Sequence, residues 1–273
     1  MLTLNPSELN VPRLHQYLLG AIGPRPICFA STVDANGNHN VAPFSFFNVF
    51  SAKPPIAIFS PNLSGRTCAP KDTHLNIKEV PECVINIVNY NMVHQMSLAS
   101  SPYAKGVSEF TKAGFTPIPS DLVKPMRVKE SPVQLECKVF ELKEIGNCNL
   151  VMCEIVKIHI DESVLNEQNM IDQQKIDLVA RMGGNWYCRA HGDALFEIEK
   201  PITTIGIGFD NIPANIKSSS ILTGNNLGQL GNIEVLPGAE EVAEYNKTIS
   251  KTFTSESEKH QYAKTLLEAN KVK

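Results

Sequence analysis

The chain has 273 residues, of which 42% are hydrophobic, enough for one large domain or two small ones around a sizeable core. Its formal net charge is -3 and its lysines and arginines are scattered, so we expect no nucleic-acid partner. No apolar run reaches the roughly 18 residues of a membrane span, and the N-terminus lacks the pattern of a signal peptide. These features predict a cytoplasmic protein that does not bind a membrane.

The first structural signal along the chain is a β-hairpin. Residues 26–33 are rich in β-branched and aromatic side chains, residues 34–38 contain the turn pair Asn36-Gly37, and residues 39–51 resume an apolar pattern. Two prolines then break the chain before a third short strand over residues 56–60. Three strands are therefore predicted within residues 26–60.

Short helices and one further strand follow. Asp72 or Thr73 can cap a helix that runs through Val80, since either side chain offers an oxygen to the free amides of a first turn. Residues 83–88 predict a buried strand, and residues 92–99 and 107–113 predict helices.

The longest β signal lies in the second half of the chain. Residues 133–142 alternate between apolar and polar side chains, turn at Gly146-Asn147, and return as residues 150–160. Because strands and helices do not alternate regularly, the pattern favours a mainly β, antiparallel barrel with inserted helices over a doubly wound parallel sheet.

The character of the sequence changes near Pro201. A strand is predicted at residues 194–199 and a strand-like piece at 202–207, and the last 35 residues are polar and helix-prone, with Ser255 or Ser257 as a cap. We predict a barrel domain over residues 1–200 and a partly helical extension over 201–273 that packs on it, because the extension has few large apolar residues. Residues 222–228 fit either a flap over a ligand or a surface turn.

Several motifs argue against other kinds of site. The seven cysteines never form Cys-x-x-Cys and lie mostly in apolar surroundings, so we interpret them as buried small hydrophobes. The histidines are isolated, so no metal site is predicted. Gly206-Ile-Gly208 lacks the third glycine and the strand-helix context of a dinucleotide fingerprint. A catalytic reaction here therefore calls for a cofactor.

Two motifs suit a cofactor that has a phosphate and a flat ring. Lys71-Asp-Thr73 puts a cation and a hydroxyl at a predicted helix N-terminus, with Arg66 nearby, which favours a phosphate cradle or else a plain cap. Pro43-Phe-Ser-Phe-Phe-Asn48 combines rings with a hydroxyl and an amide, which fits a pocket lining or ordinary core packing. Ser31-Thr32 fits a ligand contact or a strand end.

Taken in order along the chain, seven motifs resemble the flavin reductase-like, FMN-binding split-barrel family. They are Gly23-Pro-Arg-Pro-Ile27, Ser31-Thr32, Asn40-Val-Ala-Pro-Phe-Ser-Phe-Phe-Asn48, Pro54-Pro55, Lys71-Asp-Thr73 with Asn76, Val133-x-Leu-Glu-Cys137 and Arg181-x-Gly-Gly-x-x-Tyr187. The resemblance covers roughly residues 15 to 195 and implies a homodimer of split β-barrels, Greek-key-like in topology, that holds FMN non-covalently near the subunit interface.

The resemblance also implies which residues contact the cofactor. It places Lys71, Asp72 and Thr73, with Arg66, near the phosphate, and residues 45 to 48 along the ribityl chain and ring. Arg181 and Tyr187 reach the site from either subunit. The implied contacts are Ser31, Thr32, Ser45, Phe46, Phe47, Asn48, Arg66, Lys71, Asp72, Thr73, Asn76, Arg181 and Tyr187.

The implied activity is that of a flavin or ferric reductase that takes hydride from NADH or NADPH through bound FMN and passes electrons to a small acceptor or a partner oxygenase. No catalytic side chain is implied, because the cofactor carries the chemistry. Two alternatives remain at this stage: a flavoredoxin-like FMN electron carrier reduced by a protein partner, and a non-catalytic flavin-binding protein.

Overall fold

The computed structural model describes residues 1–63, 69–104, 106–198 and 205–269. By internal contacts the chain divides into two compact units, Met1–Phe196 and Glu197–Lys273. The packing of the extension on the barrel stays a prediction. Arg66 and the first residues of the predicted strand-like piece at 202–207 lie outside the described residues.

The first unit is dominated by β-strands. They are β1 (Cys28–Val33), β2 (His39–Phe44), β3 (Phe47–Ala52), β4 (Pro55–Phe59), β5 (Glu82–Ile87), β6 (Pro117–Ile118), β7 (Arg127–Val128), β8 (Val133–Ile145), β9 (Cys148–Ile160), β10 (Leu178–Arg181) and β11 (Tyr187–Ala190). Seven of them form one sheet in the order β2-β1-β5-β8-β9-β4-β3, and every pairing in it is antiparallel. The pairs β6-β7 and β10-β11 form two small sheets.

The two edge strands of the large sheet are consecutive in the chain. Only Ser45 and Phe46 separate β2 from β3, so the ends of these strands lie within about 11 Å of each other. A flat seven-stranded sheet would hold its edges about 29 Å apart. The sheet therefore curls until its edges meet at this corner, although no ladder of hydrogen bonds joins β2 to β3.

The predicted hairpin is present, with one difference. The Asp34 carboxylate accepts N–H bonds from Asn36 and Asn38, and Gly37 takes φ +84°, a left-handed conformation that glycine adopts easily. The predicted single strand over residues 39–51 was wrong, because the chain bends at Ser45 and Phe46 and changes its pairing partner from β1 to β4.

The helices of the first unit are short. They are α1 (Val11–Ala21), α2 (Asp72–Glu79), α3 (Val93–Ala99), α4 (Glu109–Ala113) and α5 (Gln173–Ile176). Single 3-10 turns occur at Pro6–Glu8, Tyr90–Met92, Glu162–Val164 and Gly192–Ala194. The predicted strand at 194–199 is absent from residues 194–198, which are extended or turn-like without a pairing partner.

Two apolar clusters explain why β1 is buried along its whole length. Alternate side chains of a strand point to opposite faces. Cys28 therefore joins the cluster inside the curled sheet, which includes Cys83, Cys137 and Cys153, whereas Phe29 joins a second cluster under α3 and α4. These four cysteines are fully buried, as the sequence predicts.

The second unit is helical. Its helices are α6 (Ala214–Lys217), α7 (Gly224–Gly231), α8 (Ala239–Thr248) and α9 (Glu256–Glu268). Ile212, Leu222, Leu227 and Leu267 form a small buried cluster within it. The predicted surface turn at 222–228 was wrong, because Thr223 and Asn226 form a capping box that starts α7, and the alternative of a flap over a ligand stays a prediction. The prediction that Ser255 caps the last helix is confirmed.

Among the residues that the structure describes, no helix is both long enough and apolar enough to cross a lipid bilayer.

Candidate functional site

The N-terminus of α2 is open to an anion. Lys71 occupies the N-cap position, and among the residues that the structure describes no side chain caps the helix, so they offer the first amides of α2 no side-chain acceptor. The sequence had predicted Asp72 or Thr73 as the cap. The Lys71 ammonium lies 5.0 Å from the centre of the Phe44 ring, and loss of solvent there lowers the pKa of Lys71, although the residue as a whole is exposed. Free amides and a cation together suit a phosphate.

A buried polar network holds α2 against the sheet. Thr73 Oγ1 donates to Asn40 Oδ1 (3.0 Å), and Asn76 Nδ2 donates to Thr32 Oγ1 (3.1 Å). Asn40 Nδ2 in turn donates to Glu109 (2.9 Å). Burial raises the pKa of Glu109 above its ordinary value, and the neighbouring Asp72 adds to the rise.

Four of the predicted contact residues therefore have side chains that already bond within the protein. Ser31 is fully buried, and its hydroxyl donates to the Met126 carbonyl (2.5 Å). Thr32, Thr73 and Asn76 are buried in the network under α2. These side chains therefore bond α2 and β1 to their neighbours inside the protein.

The corner between β2 and β3 carries the next predicted residues. Ser45 is partly buried, and its Oγ accepts a long hydrogen bond from Arg25 Nε (3.5 Å). Phe46 is 39% exposed and meets His15 edge-on, whereas Phe47 packs against the inner core. Asn48 is exposed, and its Oδ1 accepts from the Val49 amide (2.8 Å). Ser45, Phe46 and Asn48 are thus accessible at the corner.

Arg25 belongs to the motif Gly23-Pro-Arg-Pro-Ile27 but was not among the predicted contact residues. It is 6% exposed, and it donates to the carbonyls of Leu19 (2.8 Å), Ile22 (2.5 Å) and Met182 (2.9 Å) as well as to Ser45. One side chain thereby joins the end of α1, the β2-β3 corner and the segment after β10. An arginine between two prolines in an apolar stretch was the available sequence signal.

The last predicted pair lies on the β10-β11 hairpin. Arg181 and Tyr187 are directly opposite each other across the two strands, and the Arg181 guanidinium carbon is 4.5 Å from the centre of the Tyr187 ring. Arg181 also donates to the carbonyl of Gly184 (2.6 Å), which braces the hairpin turn. The backbones of Arg25 and Arg181 exchange two hydrogen bonds of 3.0 and 2.8 Å.

These contacts place the predicted residues along one continuous band. Lys71 lies over Phe44, Ser45 follows Phe44 in the chain, Arg25 bonds Ser45, and Arg25 pairs with Arg181. Segments far apart in the sequence are therefore connected from the α2 N-terminus to the β10-β11 hairpin. We call this set of contacts the cationic band, and its members are Lys71, Phe44, Ser45, Arg25, Arg181 and Tyr187. Arg66 lies outside the described residues.

In the described part of the chain, two clusters have the spacing of metal ligands. The sulfur atoms of Cys83, Cys137 and Cys153 lie within 4.8 Å of one another, but they are buried in the apolar core, where an ion would be costly to desolvate. In the second cluster Glu136 accepts from the amides of Asp121 (2.8 Å) and Leu122 (2.6 Å) and bonds His159 (2.7 Å). We interpret both clusters as structural.

Comparison with known proteins identifies the class. The model of the flavin reductase like domain matches residues 21–177, more than half of the chain. The protein therefore belongs to the flavin reductase-like family, as the sequence motifs predicted.

Individual relatives agree with this assignment. An uncharacterized protein of Aquifex aeolicus is 33% identical over 192 residues, which is 70% of this chain and 97% of the relative. The structure is similar to nitrilotriacetate monooxygenase component B from Bacillus cereus (TM-score 0.68, 28% identity, 72% of this chain and 98% of the other). It is also similar to a Shewanella frigidimarina protein to which flavin reductase activity and a split barrel domain are ascribed (TM-score 0.63, 25% identity, 73% and 100%). The predicted split-barrel fold is confirmed, with a sheet whose edges remain unpaired.

Proposed function

We propose that this protein binds FMN non-covalently and acts as a reductase that accepts hydride from NADH or NADPH. The observation that carries the proposal is the Lys71 end of the cationic band together with the β2-β3 corner, because a phosphate-bearing flat cofactor needs a cation at one end and accessible polar and aromatic groups along its length. The family of the chain supports a flavin as that cofactor.

In this proposal the α2 N-terminus holds the phosphate. The Lys71 ammonium and the amides of Asp72 and Thr73 supply positive charge and donors, and the network of Asn40, Thr73 and Asn76 keeps the helix in place. Arg66 is proposed as a helper on the basis of the sequence motif alone.

The β2-β3 corner then orients the rest of the cofactor. Ser45 offers a hydroxyl and Asn48 an amide to polar groups of the ribityl chain and ring, and Phe46 and Phe47 supply apolar surface. A bound flavin supplies the redox chemistry by accepting hydride and passing electrons on. The side chains of this protein bind it, orient it and limit the access of water.

We also propose that the protein works as a homodimer. None of the side chains of α1 is buried, and apolar groups such as Val11, Ile22 and Phe50 are more than half exposed. Exposed apolar surface of this kind is typical of a protein interface. The recipient of the electrons is proposed to be a small molecule or a partner oxygenase, since one similar structure is a component of a monooxygenase.

The decisive experiment starts with the colour and the redox behaviour of the purified full chain. We expect FMN to bind tightly enough to co-elute, and NADH or NADPH to bleach the flavin absorbance rapidly without oxygen. Protein that stays colourless after incubation with FMN would contradict the flavin proposal. Slow bleaching by both nicotinamides, with rapid bleaching by a reduced protein partner, would replace the reductase by an electron carrier.

A further inference from the structure

A cleft of about 770 Å³ lies between α1 and the turn of the β10-β11 hairpin. Gln16 and Gly20 line it from α1, and Met182, Trp186 and Tyr187 line it from the hairpin. A Cβ atom on Gly183 would lie 3.1 Å from the Gly20 Cα, so the absence of a side chain at Gly183 lets the helix and the hairpin pack closely at this point. The volume is in the usual range for small-molecule sites, about 300 to 1,000 Å³.

Two guanidinium groups lie next to the lining of this cleft without forming part of it. Arg181 contacts Gly184 and Tyr187, and Arg25 bonds the Met182 carbonyl. Within the described part of the chain, neither Arg25 nor Arg181 forms an ion pair with a carboxylate. Burial, and to a smaller extent the nearby charge of Arg181, lowers the pKa of Arg25. Arg189 on the same hairpin differs, because Asp177 binds it through two hydrogen bonds of 2.7 and 2.6 Å.

The cleft also presents aromatic surface. Trp186 is 78% exposed, and the Tyr187 ring carries the Arg181 guanidinium at 4.5 Å. A large ring exposed next to an unneutralised arginine suits a ligand with a flat base and a phosphate, since rings stack on rings and guanidinium groups bind phosphate oxygens in pairs.

We propose that this cleft binds the adenosine diphosphate part of the dinucleotide electron donor, with the adenine against Trp186 and the pyrophosphate towards Arg181. The identity of the whole ligand rests on the proposed reductase function, whereas its recognition by ring and phosphate rests on the cleft itself. Arg181 and Tyr187 then bind the donor, whereas the family resemblance had implied that they bind FMN. Arg25 acts through them as a positioning residue.

Trp186 makes the proposal directly testable, because it is the single tryptophan of the chain. Titration of the full chain with ADP should quench its fluorescence, and adenosine and inorganic pyrophosphate should each bind more weakly than ADP. Saturation with FMN should leave the dissociation constant of ADP unchanged. ADP should also inhibit reduction competitively with respect to the nicotinamide donor.

Variants of the hairpin arginines then distinguish the loss of a positive charge from a disturbance of the fold. Arg181→Gln should weaken ADP binding about tenfold or more, which corresponds to the loss of a charged hydrogen bond, and should leave adenosine binding and FMN affinity unchanged. Arg181→Lys should recover part of the affinity. Arg189→Gln is the matched control on the same hairpin and should bind ADP like the wild type.

The outcomes distinguish this inference from the proposed function. If FMN binds and NADH reduces it while ADP neither quenches Trp186 nor competes with NADH, the cleft proposal fails and the reductase stands. If FMN displaces ADP from the cleft, the cleft belongs to the flavin and the proposal is overturned. If ADP binds in the predicted order but FMN does not bind, the cleft proposal stands and the flavin function fails.

Discussion

Arg25 and Met182 are 157 positions apart in the chain, yet Arg25 Nη2 donates a 2.9 Å hydrogen bond to the Met182 carbonyl. The same guanidinium bonds the carbonyls of Leu19 and Ile22 at the end of α1. One buried side chain therefore holds the walls of the proposed donor cleft together and connects them to the β2-β3 corner through Ser45.

The first prediction concerns this connection. Arg25→Met should lower the free energy of unfolding by about 2 to 4 kcal/mol, because carbonyl groups of Leu19, Ile22 and Met182 lose their donor. Urea unfolding followed by far-UV circular dichroism measures the change. Arg13→Met, at an exposed position of α1, is the control and should cost less than about 0.5 kcal/mol. Equal losses in the two variants would show that Arg25 holds nothing together.

The second prediction tests the phosphate end of the flavin site. Lys71→Ala should weaken FMN by about 1.5 to 3 kcal/mol, the usual loss for a hydrogen bond to a charged group, and should hardly affect riboflavin, which has no phosphate. Isothermal titration with both ligands measures the difference. Lys78→Ala, in the last turn of the same helix, removes an equal charge from a residue paired with Glu144 and should change neither affinity. Equal losses of affinity for FMN and riboflavin would show that Lys71 supports the fold and does not bind the phosphate.

The third prediction follows from the buried carboxyl of Glu109. Because burial raises the pKa of Glu109 in the folded state above its ordinary value of 4.5, the group favours folding most when it is protonated. That contribution is complete below the ordinary value and is lost as pH rises through the folded pKa. Glu109→Gln keeps an oxygen for Asn40 and Val41 and should be more stable than the wild type near pH 7, with a smaller advantage in acid. Urea unfolding from pH 4 to pH 7 measures it, and an advantage independent of pH would contradict the assignment.

The fourth prediction concerns Asp177, whose contribution to stability changes with pH in the direction opposite to that of Glu109. The hydrogen bonds from Arg189 hold the pKa of Asp177 below its ordinary value of 3.8, so Asp177 stabilises the fold above that value and loses this effect as pH falls through the folded pKa. Asp177→Asn should cost about 1 kcal/mol near pH 7, since the partner is partly exposed and solvent screens the pair. Asparagine tolerates the left-handed backbone at this position (φ +51°), so the substitution adds no strain. The difference from the wild type should close in acid; a constant difference would point to packing.

Local patterns were sufficient for most of the strands. The Asn36-Gly37 turn and the alternation over residues 133–142 and 150–160 predicted two hairpins that the structure contains, because turn chemistry and side-chain alternation are short-range properties. The bend at Ser45 and Phe46 was not predictable in this way. It arises where the two edges of a curled sheet meet, which no window of the sequence describes.

For the candidate site, too, some features followed from the sequence and others only from the tertiary structure. The sequence by itself determined the family, the antiparallel barrel and the set of polar residues worth testing, since motif order and periodicity survive without coordinates. Only the tertiary structure decided which of them are accessible. Ser31 and Thr32 are buried because β1 is covered on both faces, and Asn76 is buried on the side of α2 that bonds Thr32, whereas Lys71 stays exposed at a helix end. The position of Arg25 was likewise decided by distant carbonyls that converge on one guanidinium, which is a property of packing and not of any stretch of chain.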